Sequence, residues 1–484
     1  MYKGFLLIFL WAASSTRISS QTIVEMLPGY PGPLPFKLET GYIGVGENEA
    51  VQLFYFFVES EGNPEDDPLI IWLAGGPGCS NLHAFFFEIG PFKIMKGIFV
   101  DGVPALQIDP NSWTKVANII YLDAPTLTGY SYTTTDEAAY SSDTLSASQT
   151  AEFVRKFVKD HPRFLKNPLY VTGVSYSGIV IPMVTEKIYE GNEQDLEPII
   201  NIKGYMAANP VTDKIGDVNA RFEFANQMAL ISKELFESTK KACNGEYAEG
   251  YDSNLLCMSR IEEVNKRVKD INMSQILETN CDDSPTNMVK AVNPIIREEH
   301  ISVWENPIKM LHEQPSLKAD TFTKCYSDYY YASLWANDKK VMKALDIRKG
   351  RVEEELFLCN TDMKYHSGYT KLPLYEFNVL SSVVYHERLI KRNCRALIFS
   401  GDHDMMVPHV GTLNWIQSLN LTITESDWDA WYSDDQVAGY KTTYAQDNYS
   451  LVFATVKGGG HTVPEFKPKQ CFDMVSRWFV DKPI

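Results

Sequence analysis

The stretch LYVTGVSYSGI at residues 169–179 decides both the fold and the chemistry expected of this 484-residue chain. Its apolar, strand-like first half stops at Gly173, and a helix-compatible segment follows. The centre, GVSYS, fits the pattern small-x-Ser-x-small, a strained strand-to-helix turn that lifts a serine hydroxyl above a sheet. Because small residues also surround serines in ordinary turns, the motif by itself makes Ser175 a candidate nucleophile and nothing more.

Two later loops supply partners for this serine. Asp404 lies in SGDHDMMVP and His461 lies in KGGGHTVP, each after an apolar run where a loop at a strand end is expected. Ser, Asp, His is the chain order of α/β-hydrolases. A serine hydroxyl becomes a nucleophile when an imidazole takes its proton and a carboxylate fixes the imidazole tautomer. Either loop alone is also compatible with an ordinary turn, but their order and placement together favour a triad.

The remaining parts of such a site have candidates of their own. Asp402 competes for the carboxylate role, and Asp404 is favoured because it lies within the loop rather than directly behind the strand. The backbone amides of Gly76, in the turn GGPG, and of Tyr176 are the expected oxyanion donors. A phosphate-binding loop at GGPG is rejected, because no Gly-Lys-Ser/Thr follows and its proline removes a donor.

Composition limits the classes of partner. The chain is 44% hydrophobic and 22% charged, which is ordinary for a globular protein that buries a large core. Its formal charge of −17 and pI near 5.1 argue against nucleic acid, since phosphate binding needs a basic footprint.

The N-terminus predicts a signal peptide over residues 1–20. Lys3 precedes an apolar run at 4–13, and small and polar residues follow up to Ser20. A signal anchor is the alternative, but Arg17 and nearby serines interrupt the apolar run. We therefore expect a soluble product of the secretory system without stable membrane insertion.

Eight cysteines in a secreted chain suggest disulfides, although spacing alone leaves the pairing open. None forms a metal-type Cys-x-x-Cys. Asn272, Asn420 and Asn448 begin Asn-x-Ser/Thr sequons and predict surface glycosylation, although short sequons also arise by chance.

Apolar runs that alternate with helical periodicity predict an α/β organisation. The predicted strands are 41–45, 51–58, 68–74, 117–123, 169–173 and 396–400, and the clearest intervening helix is 148–161. Between 213 and 373 strand-like runs give way to charged helical segments such as 232–243 and 260–276, with five of the eight cysteines. We interpret 213–373 as a disulfide-pinned helical cap inserted into a catalytic domain of residues 21–484. Within it, 281–300 reads as a flexible or cleavable loop.

These residues carry a family resemblance over nearly all of the chain after position 20. The sequence resembles plant serine carboxypeptidase-like proteins, and most closely their acyltransferase branch. The matching stretches are LETGYIGVG (38–46), GGPGCS (75–80), NSWTKVAN (111–118), TGYSY (128–132), NPVTD (209–213), SGDHD (400–404) and DDQVAGY (434–440). The resemblance implies an α/β-hydrolase fold with a central mixed, mostly parallel sheet, and neither a metal nor an organic cofactor.

Carried over by position, the resemblance implies the triad Ser175, Asp404 and His461, with the amides of Gly76 and Tyr176 as oxyanion hole. It also implies the disulfides Cys79–Cys359, Cys243–Cys257 and Cys281–Cys325, with Cys394 and Cys471 left free.

Departures from the family pattern bear on the substrate. Peptidase members recognise a terminal carboxylate with an asparagine before GGPG and a glutamate before the nucleophile, paired with a second glutamate. Here those positions are Ala74, Val174 and Glu88. Because neither Ala nor Val can bond a carboxylate, we expect weak or absent carboxypeptidase activity. Acyltransferase members usually have aspartate at position 174, so Val174 departs from that pattern too.

The stretch 123–132 keeps the family's length but changes its residues, so that Leu127 and Tyr130 join the three positions above as expected substrate contacts. Without its former partner, Glu88 is expected to remain ionised. It then either attracts a cationic amine acceptor or is a buried glutamate hydrogen-bonded to backbone.

The function implied by the resemblance is transfer of an acyl group from a 1-O-β-acyl glucose to the hydroxyl or amine of a plant specialised metabolite, with vacuolar or extracellular localisation. Both donor and acceptor are small molecules. Two alternatives stay open: an esterase or carboxypeptidase-type hydrolase, and a catalytically dead binding member of the fold.

Overall fold

A computed structural model of the protein describes residues 21–248, 253–279, 327–348, 356, 358–360, 374–425 and 427–484. The expected signal peptide, the Cys281–Cys325 pair and the 281–300 loop lie outside these residues.

Strands within the described chain are β1 (Gln21–Met26), β2 (Pro33–Val45), β3 (Val51–Val58), β4 (Leu69–Leu73), β5 (Phe92–Val100), β6 (Val103–Ile108), β7 (Asn118–Leu122), β8 (Tyr132–Thr133), β9 (Ser141–Ser142), β10 (Leu169–Val174), β11 (Ile202–Ala208), β12 (Tyr375–Glu376), β13 (Arg395–Gly401), β14 (Thr422–Ile423), β15 (Asp429–Ser433), β16 (Gln436–Gln446) and β17 (Tyr449–Val456).

The α-helices are α1 (Asp143–Asp160), α2 (Ser177–Glu193), α3 (Lys214–Gln227), α4 (Lys233–Cys243), α5 (Leu255–Val268), α6 (Ser327–Ala336), α7 (Lys339–Ala344), α8 (Val383–Leu389), α9 (His409–Ser418), α10 (Val463–Phe466) and α11 (Pro468–Phe479). One turn of π-helix spans Ala84–Glu88.

The main sheet has thirteen strands within the described chain, in the path β1-β2-β3-β7-β4-β10-β11-β13-β17-β16-β14, with β8 and β15 on its sides. From β7 to β17 neighbouring strands are parallel, and the flanking pairs are antiparallel. The predicted fold class, an α/β-hydrolase with a mixed, mostly parallel sheet, is confirmed.

Apolar runs form the centre of the sheet because both of its faces are covered. Alternate residues of β3 show this: Phe56 packs in a cluster with Trp72 and Trp478 on one face, and Phe57 packs with Phe157 on the other. The parallel strands β10, β11, β13 and β17 all end at one edge, where ligands of open α/β sheets bind.

Five of the six predicted strands agree with the structure to within one residue at each end, whereas β2 begins at Pro33, eight residues before the predicted start, and the helix boundaries shift. The helix expected at 148–161 begins five residues earlier, because the Ser142 hydroxyl accepts the Leu145 amide as an N-cap. The helix expected at 260–276 is wrong at both ends: α5 begins after the Asn254 cap and ends at Val268. Sequence reasoning also missed β11 and the β5–β6 and β15–β16 pairs.

The described part of 213–373 contains helices α3 to α7. α3, α4 and α5 share a hydrophobic cluster that includes Met405 and Val410, residues beside the Asp404 loop. Across the described chain, no helix combines the length and apolarity that crossing a bilayer requires.

Candidate active site

Ser175 occupies the sharp corner between β10 and α2. Its φ of 61° lies in the left-handed region that non-glycine residues rarely adopt, which is the strain expected of a nucleophile elbow. Its amide bonds the Ala208 carbonyl at 3.0 Å, which fixes the corner to the end of β11. A Cβ on Gly75 would lie 2.7 Å from the Ser175 Cβ, so only glycine lets the GGPG turn approach this closely.

Three predicted catalytic side chains meet at this edge. His461 Nε2 lies 2.7 Å from Ser175 Oγ, and His461 Nδ1 lies 2.8 Å from Asp404 Oδ2. Asp404 follows β13 and His461 follows β17, and the two strands are parallel neighbours. With Nδ1–H donated to the carboxylate, Nε2 is left to accept the serine proton.

Asp404 is fully buried and saturated with donors. Its Oδ1 accepts the Met406 amide at 2.7 Å, and its Oδ2 also accepts Asn209 Nδ2 at 2.6 Å. Asn209 Oδ1 in turn accepts the Gly401 amide, so this one side chain joins the ends of β11 and β13. Sequence reasoning quoted NPVTD as a family stretch but gave Asn209 no role.

Arg221 on α3 adds a buried positive charge near the carboxylate. Its Nε donates to the Met406 carbonyl at 2.8 Å. Burial lowers the pKa of the guanidinium to about 10, while the charges of Asp404 and Asp217 act in the opposite direction. Arg221 therefore holds the loop that carries Asp404.

Asp402, the rival carboxylate, has different partners. Its Oδ1 accepts the Gly458 amide at 2.6 Å and contacts His403 Nδ1 at 2.5 Å. Asp402 therefore ties the loop after β13 to the loop after β17, and it is Asp404 that faces the imidazole of His461.

Residues 273–276, expected on a helix, instead form a turn that contacts both catalytic loops; we call them the 273–276 segment. The Met273 carbonyl accepts the Met405 and Met406 amides at 2.8 and 3.0 Å. The Ile276 amide donates to the His403 carbonyl at 3.1 Å. This side of the segment fixes the loop of Asp404.

Its other side fixes the loop of His461. The His461 amide donates to the Ser274 carbonyl at 2.6 Å, and buried Gln275 donates through Nε2 to the Gly458 carbonyl at 3.1 Å. Because the segment bonds both loops, it sets their separation.

Tyr176, the expected oxyanion donor beside the nucleophile, is anchored by its side chain. Its hydroxyl lies 2.5 Å from Asp143 Oδ1 and accepts from Lys214 Nζ at 2.9 Å. Asp143 also accepts the Tyr375 hydroxyl at 2.9 Å. This buried network holds the start of α2, and with it the amide of Tyr176, in place. Gly76, the second expected donor, lies in the turn that approaches Ser175.

Ala74, Val174 and Glu88 are the residues expected to contact substrate beside Ser175, and we call them the substrate side of the site. Ala74 follows β4, and buried Val174 ends β10 directly before Ser175. Glu88 has a side chain only 1% exposed, and both its oxygens are engaged: Oε2 accepts Trp72 Nε1 at 2.9 Å, and Oε1 lies 2.9 Å from His83 Nδ1. Of the two interpretations of Glu88, the buried hydrogen-bonded one is favoured, although its partners are side chains rather than backbone.

The two positions expected to contact substrate in the 123–132 stretch differ in exposure. Leu127 is partly exposed, and its carbonyl accepts Asn360 Nδ2 at 2.9 Å. Tyr130 is fully buried and donates to the Ala336 carbonyl at 2.8 Å, which makes it part of the core beneath α6 rather than a lining residue. The stretch itself is held by buried Asp123, whose pKa burial raises to about 6.

Cysteine pairing in the described chain follows the resemblance. Disulfides join Cys79 to Cys359 and Cys243 to Cys257, while Cys394 and Cys471 are buried free thiols. The first disulfide ties the GGPG turn to residues 358–360.

The sequons differ in exposure. Asn420 and Asn448 are exposed, and Asn272 is half-buried, with its Oδ1 accepting the Ser274 amide at 3.0 Å.

Comparison with known proteins shows the family to which the chain belongs. The family model described as serine carboxypeptidase matches residues 28–481. Serine carboxypeptidase-like 19 of Arabidopsis thaliana is 42% identical, over 96% of this chain and 96% of its own length. Serine carboxypeptidase-like 3 of the same plant is 40% identical, over 97% and 94%.

The fold has a solved counterpart. A prohormone-processing carboxypeptidase from Saccharomyces cerevisiae superposes with a TM-score of 0.68 over 96% of this chain and 95% of that one, at 20% identity. That identity supports the fold alone, whereas the full-length matches support the family. The chain therefore belongs to the serine carboxypeptidase family, among its plant serine carboxypeptidase-like members.

Proposed function

We propose that this protein is an acyltransferase that moves an acyl group from a 1-O-β-acyl glucose, through an acyl-enzyme at Ser175, to the hydroxyl or amine of a small plant metabolite. In this proposal His461 is the general base and acid, Asp404 orients it, and the amides of Gly76 and Tyr176 bind the oxyanion. The 2.7 and 2.8 Å contacts that join the three side chains support it.

In the first half-reaction His461 Nε2 takes the Ser175 proton while Oγ attacks the ester carbonyl carbon. The oxyanion that forms is stabilised by the two preorganised amides. The intermediate then collapses, the bond to the glucose oxygen breaks, and His461 returns the proton to that oxygen.

In the second half-reaction the acceptor replaces glucose. His461 takes the proton of the acceptor hydroxyl or amine, which attacks the acyl carbon, and Ser175 regains a proton as it leaves. Transfer exceeds hydrolysis only where bound acceptor excludes water from the acyl-enzyme.

The observation that supports transfer over peptide hydrolysis is the chemistry of the three residues of the substrate side. Ala74 and Val174 present only methyl groups, and the Glu88 carboxylate is committed to Trp72 and His83. A peptide's terminal carboxylate would meet no side-chain donor at positions 74 and 174, and an unmatched buried charge costs discrimination of ~10⁴-fold.

The proposal includes the arrangement of the mature chain. Residues 21–484 would form one catalytic domain, with 213–373 inserted as a cap and delivery to the vacuole or the cell exterior. The helices α3 to α7 and the contacts of the 273–276 segment with both catalytic loops support an insertion that adjoins the site.

The test is incubation of the purified protein with a set of acyl glucoses, each with and without candidate alcohols and amines. We expect an ester or amide that appears only with acceptor. Free acid alone in every incubation would identify a hydrolase and contradict the proposal.

A second measurement distinguishes an acyltransferase or a hydrolase from a binding protein without catalytic activity. An organophosphonate should label Ser175, and Ser175→Ala should abolish labelling and lower kcat by ~10⁴ to 10⁶-fold. A folded wild-type protein that stays unlabelled would contradict the enzyme proposal as a whole.

A further inference from the structure

A surface groove of about 500 Å³ lies between α9 and strands β14–β16. Its lining includes Leu421, Ile423, Trp428 and Tyr444, and its polar members are Gln417, Asn420 and Asp427. α9 begins shortly after the Asp404 loop and, at 1.5 Å per residue, runs ~15 Å back along the sheet. The groove therefore lies away from Ser175, and none of the proposed catalytic residues is part of its lining.

The groove exposes apolar surface that folding has not covered. Trp428 is 37% exposed and Ile423 is 42% exposed. The ring of Trp428 is parallel to that of Tyr440, with centroids 6.1 Å apart, and its amide donates to Thr442 Oγ1 at 3.2 Å. A groove of this volume that combines aromatic residues with several polar side chains has the mixed lining that a single sugar ring requires.

One of the lining residues is also a candidate attachment point. Asn420 directly follows the last turn of α9, is exposed, and begins the sequon Asn-Leu-Thr. Its Nδ2, the atom that N-glycosylation modifies, donates to the Ser418 carbonyl at 3.0 Å. A glycosylated amide keeps one N–H, so this bond can persist and fix the direction in which the first sugar leaves the chain.

We propose that the groove is the seat of the innermost N-acetylglucosamine carried by Asn420, whose C–H face packs on Trp428 while its polar groups meet Asp427 and Tyr444. A lipid-linked oligosaccharide of the secretory pathway supplies the glycan: Nδ2 loses a proton and bonds the sugar C1, as the bond from C1 to the lipid diphosphate breaks. Because the sugar is then tethered at the rim, even a weak contact is populated at millimolar effective concentration.

Asn448 offers a matched control within the same molecule. It is exposed at the turn between β16 and β17 and is not part of the described lining of the groove. β14 pairs with β16 through Thr422 and Ala445, so both sequons lie at the same end of this hairpin and share accessibility to a large enzyme.

The experiment uses the full chain from a host that adds high-mannose glycans, with occupancy of both sites measured by glycopeptide mass spectrometry. An endoglycosidase that cuts between the two innermost sugars is then applied to the folded protein. We expect cleavage at Asn420 to be about fivefold slower than at Asn448, because cleavage follows the fraction of time that the sugar is out of the groove. After denaturation the two rates should be equal.

Variants of the aromatic wall complete the test. Trp428→Ala should bring the Asn420 rate up to that of Asn448, and Trp428→Phe, which keeps an aromatic face, should retain part of the protection. An unoccupied Asn420, equal rates in the folded wild type, or a difference that persists in Trp428→Ala would each overturn the proposal. The wild-type comparison decides it even where a variant fails to fold.

Discussion

The two sides of Ser175 are built differently. On one side, which we call the reactive side, a chain of hydrogen bonds runs from the Ser175 hydroxyl through His461 and Asp404 to Asn209. On the substrate side, the side chains of Ala74 and Val174 contain only methyl groups and carry no hydrogen-bonding atom. The first side joins a hydroxyl, an imidazole and a carboxylate, and the second lacks polar side chains at positions 74 and 174, so we expect reactivity and substrate choice to be separable by mutation.

The largest effect should come from the carboxylate on the reactive side. Asp404→Asn keeps the shape of the side chain but favours the wrong His461 tautomer, and kcat should fall on the order of 10⁴-fold. The measurement is acyl transfer under saturating donor, together with the rate of organophosphonate labelling.

Asp402→Asn is the matched control, two residues away in the same loop. Because Asp402 bonds Gly458 and His403 rather than His461, its loss should cost far less than that of Asp404. Equal losses in the two variants would contradict the assignment of the carboxylate and, with it, the contrast between the two sides.

Substitutions on the substrate side should change substrate specificity and leave the reactivity of Ser175 unchanged. In Ala74→Asn with Val174→Glu, polar groups return to the two positions, and we expect kcat/KM for a blocked dipeptide to rise by ~10²-fold while labelling of Ser175 is unchanged. Ala74→Leu with Val174→Met adds bulk without polar groups and serves as control. A similar gain in both double variants would mean that shape, not carboxylate recognition, separates the two sides.

The sequence predicted the three residues of the reactive side but not the residues that hold them in position. Ser175, Asp404 and His461 each follow an apolar strand, and parallel strands bring their ends together, so order and placement were sufficient. Asn209 and residues 273–276 act through contacts between segments far apart in sequence, and such pairing leaves no local pattern. The helical periodicity at 260–276 was misleading because hydrogen bonds to the catalytic loops replace those of a helix after Val268.

Glu88 illustrates the same limit on the substrate side. The sequence showed that position 174 lacks the acidic residue expected to pair with Glu88. It did not show that Glu88 instead bonds Trp72 and His83. His83 directly precedes the π-helical turn that ends at Glu88, and its spacing of five residues is not one that α-helical periodicity suggests.

The pH dependence of folding stability distinguishes a loss of activity caused by unfolding from one caused by a change in the catalytic residues. Burial lowers the pKa of His386 to about 3, and its Nδ1 lies 2.7 Å from the Tyr205 hydroxyl. Between about pH 6.5 and 3 the unfolded chain binds a proton there that the folded chain does not, so stability falls as pH drops. From pH 7 to pH 5 this group should cost about 2 kcal/mol of unfolding free energy.

The measurement is urea unfolding of wild type and His386→Asn at pH 7 and 5. The variant should be less stable at pH 7 but lose about 2 kcal/mol less on acidification. Asp217 and Asp123, whose pKa values burial raises to about 7 and about 6, contribute stability at acid pH that is lost as pH rises, and they cancel in the difference. Parallel pH profiles for the two proteins would contradict the role of His386.

The smallest effect should come from a substitution in the 273–276 segment. This substitution tests whether catalysis depends on the hydrogen bonds between that segment and the loop of His461. Gln275→Ala removes the bond to the Gly458 carbonyl from a side chain buried to 2% exposure. The loop of His461 then gains freedom, and kcat should fall by about tenfold or less with KM unchanged, since small misplacement of a catalytic group slows the chemical step. Labelling of Ser175 should slow in parallel.

Leu277→Ala is the control for this last change, because Leu277 is 68% exposed and two residues farther along the same turn. It should leave both kcat and labelling as in the wild type. A rise in KM without a change in kcat for Gln275→Ala would place Gln275 on the substrate side instead. The 273–276 segment would then contribute to substrate binding as well as to the positioning of His461, and the two sides of the nucleophile would share it.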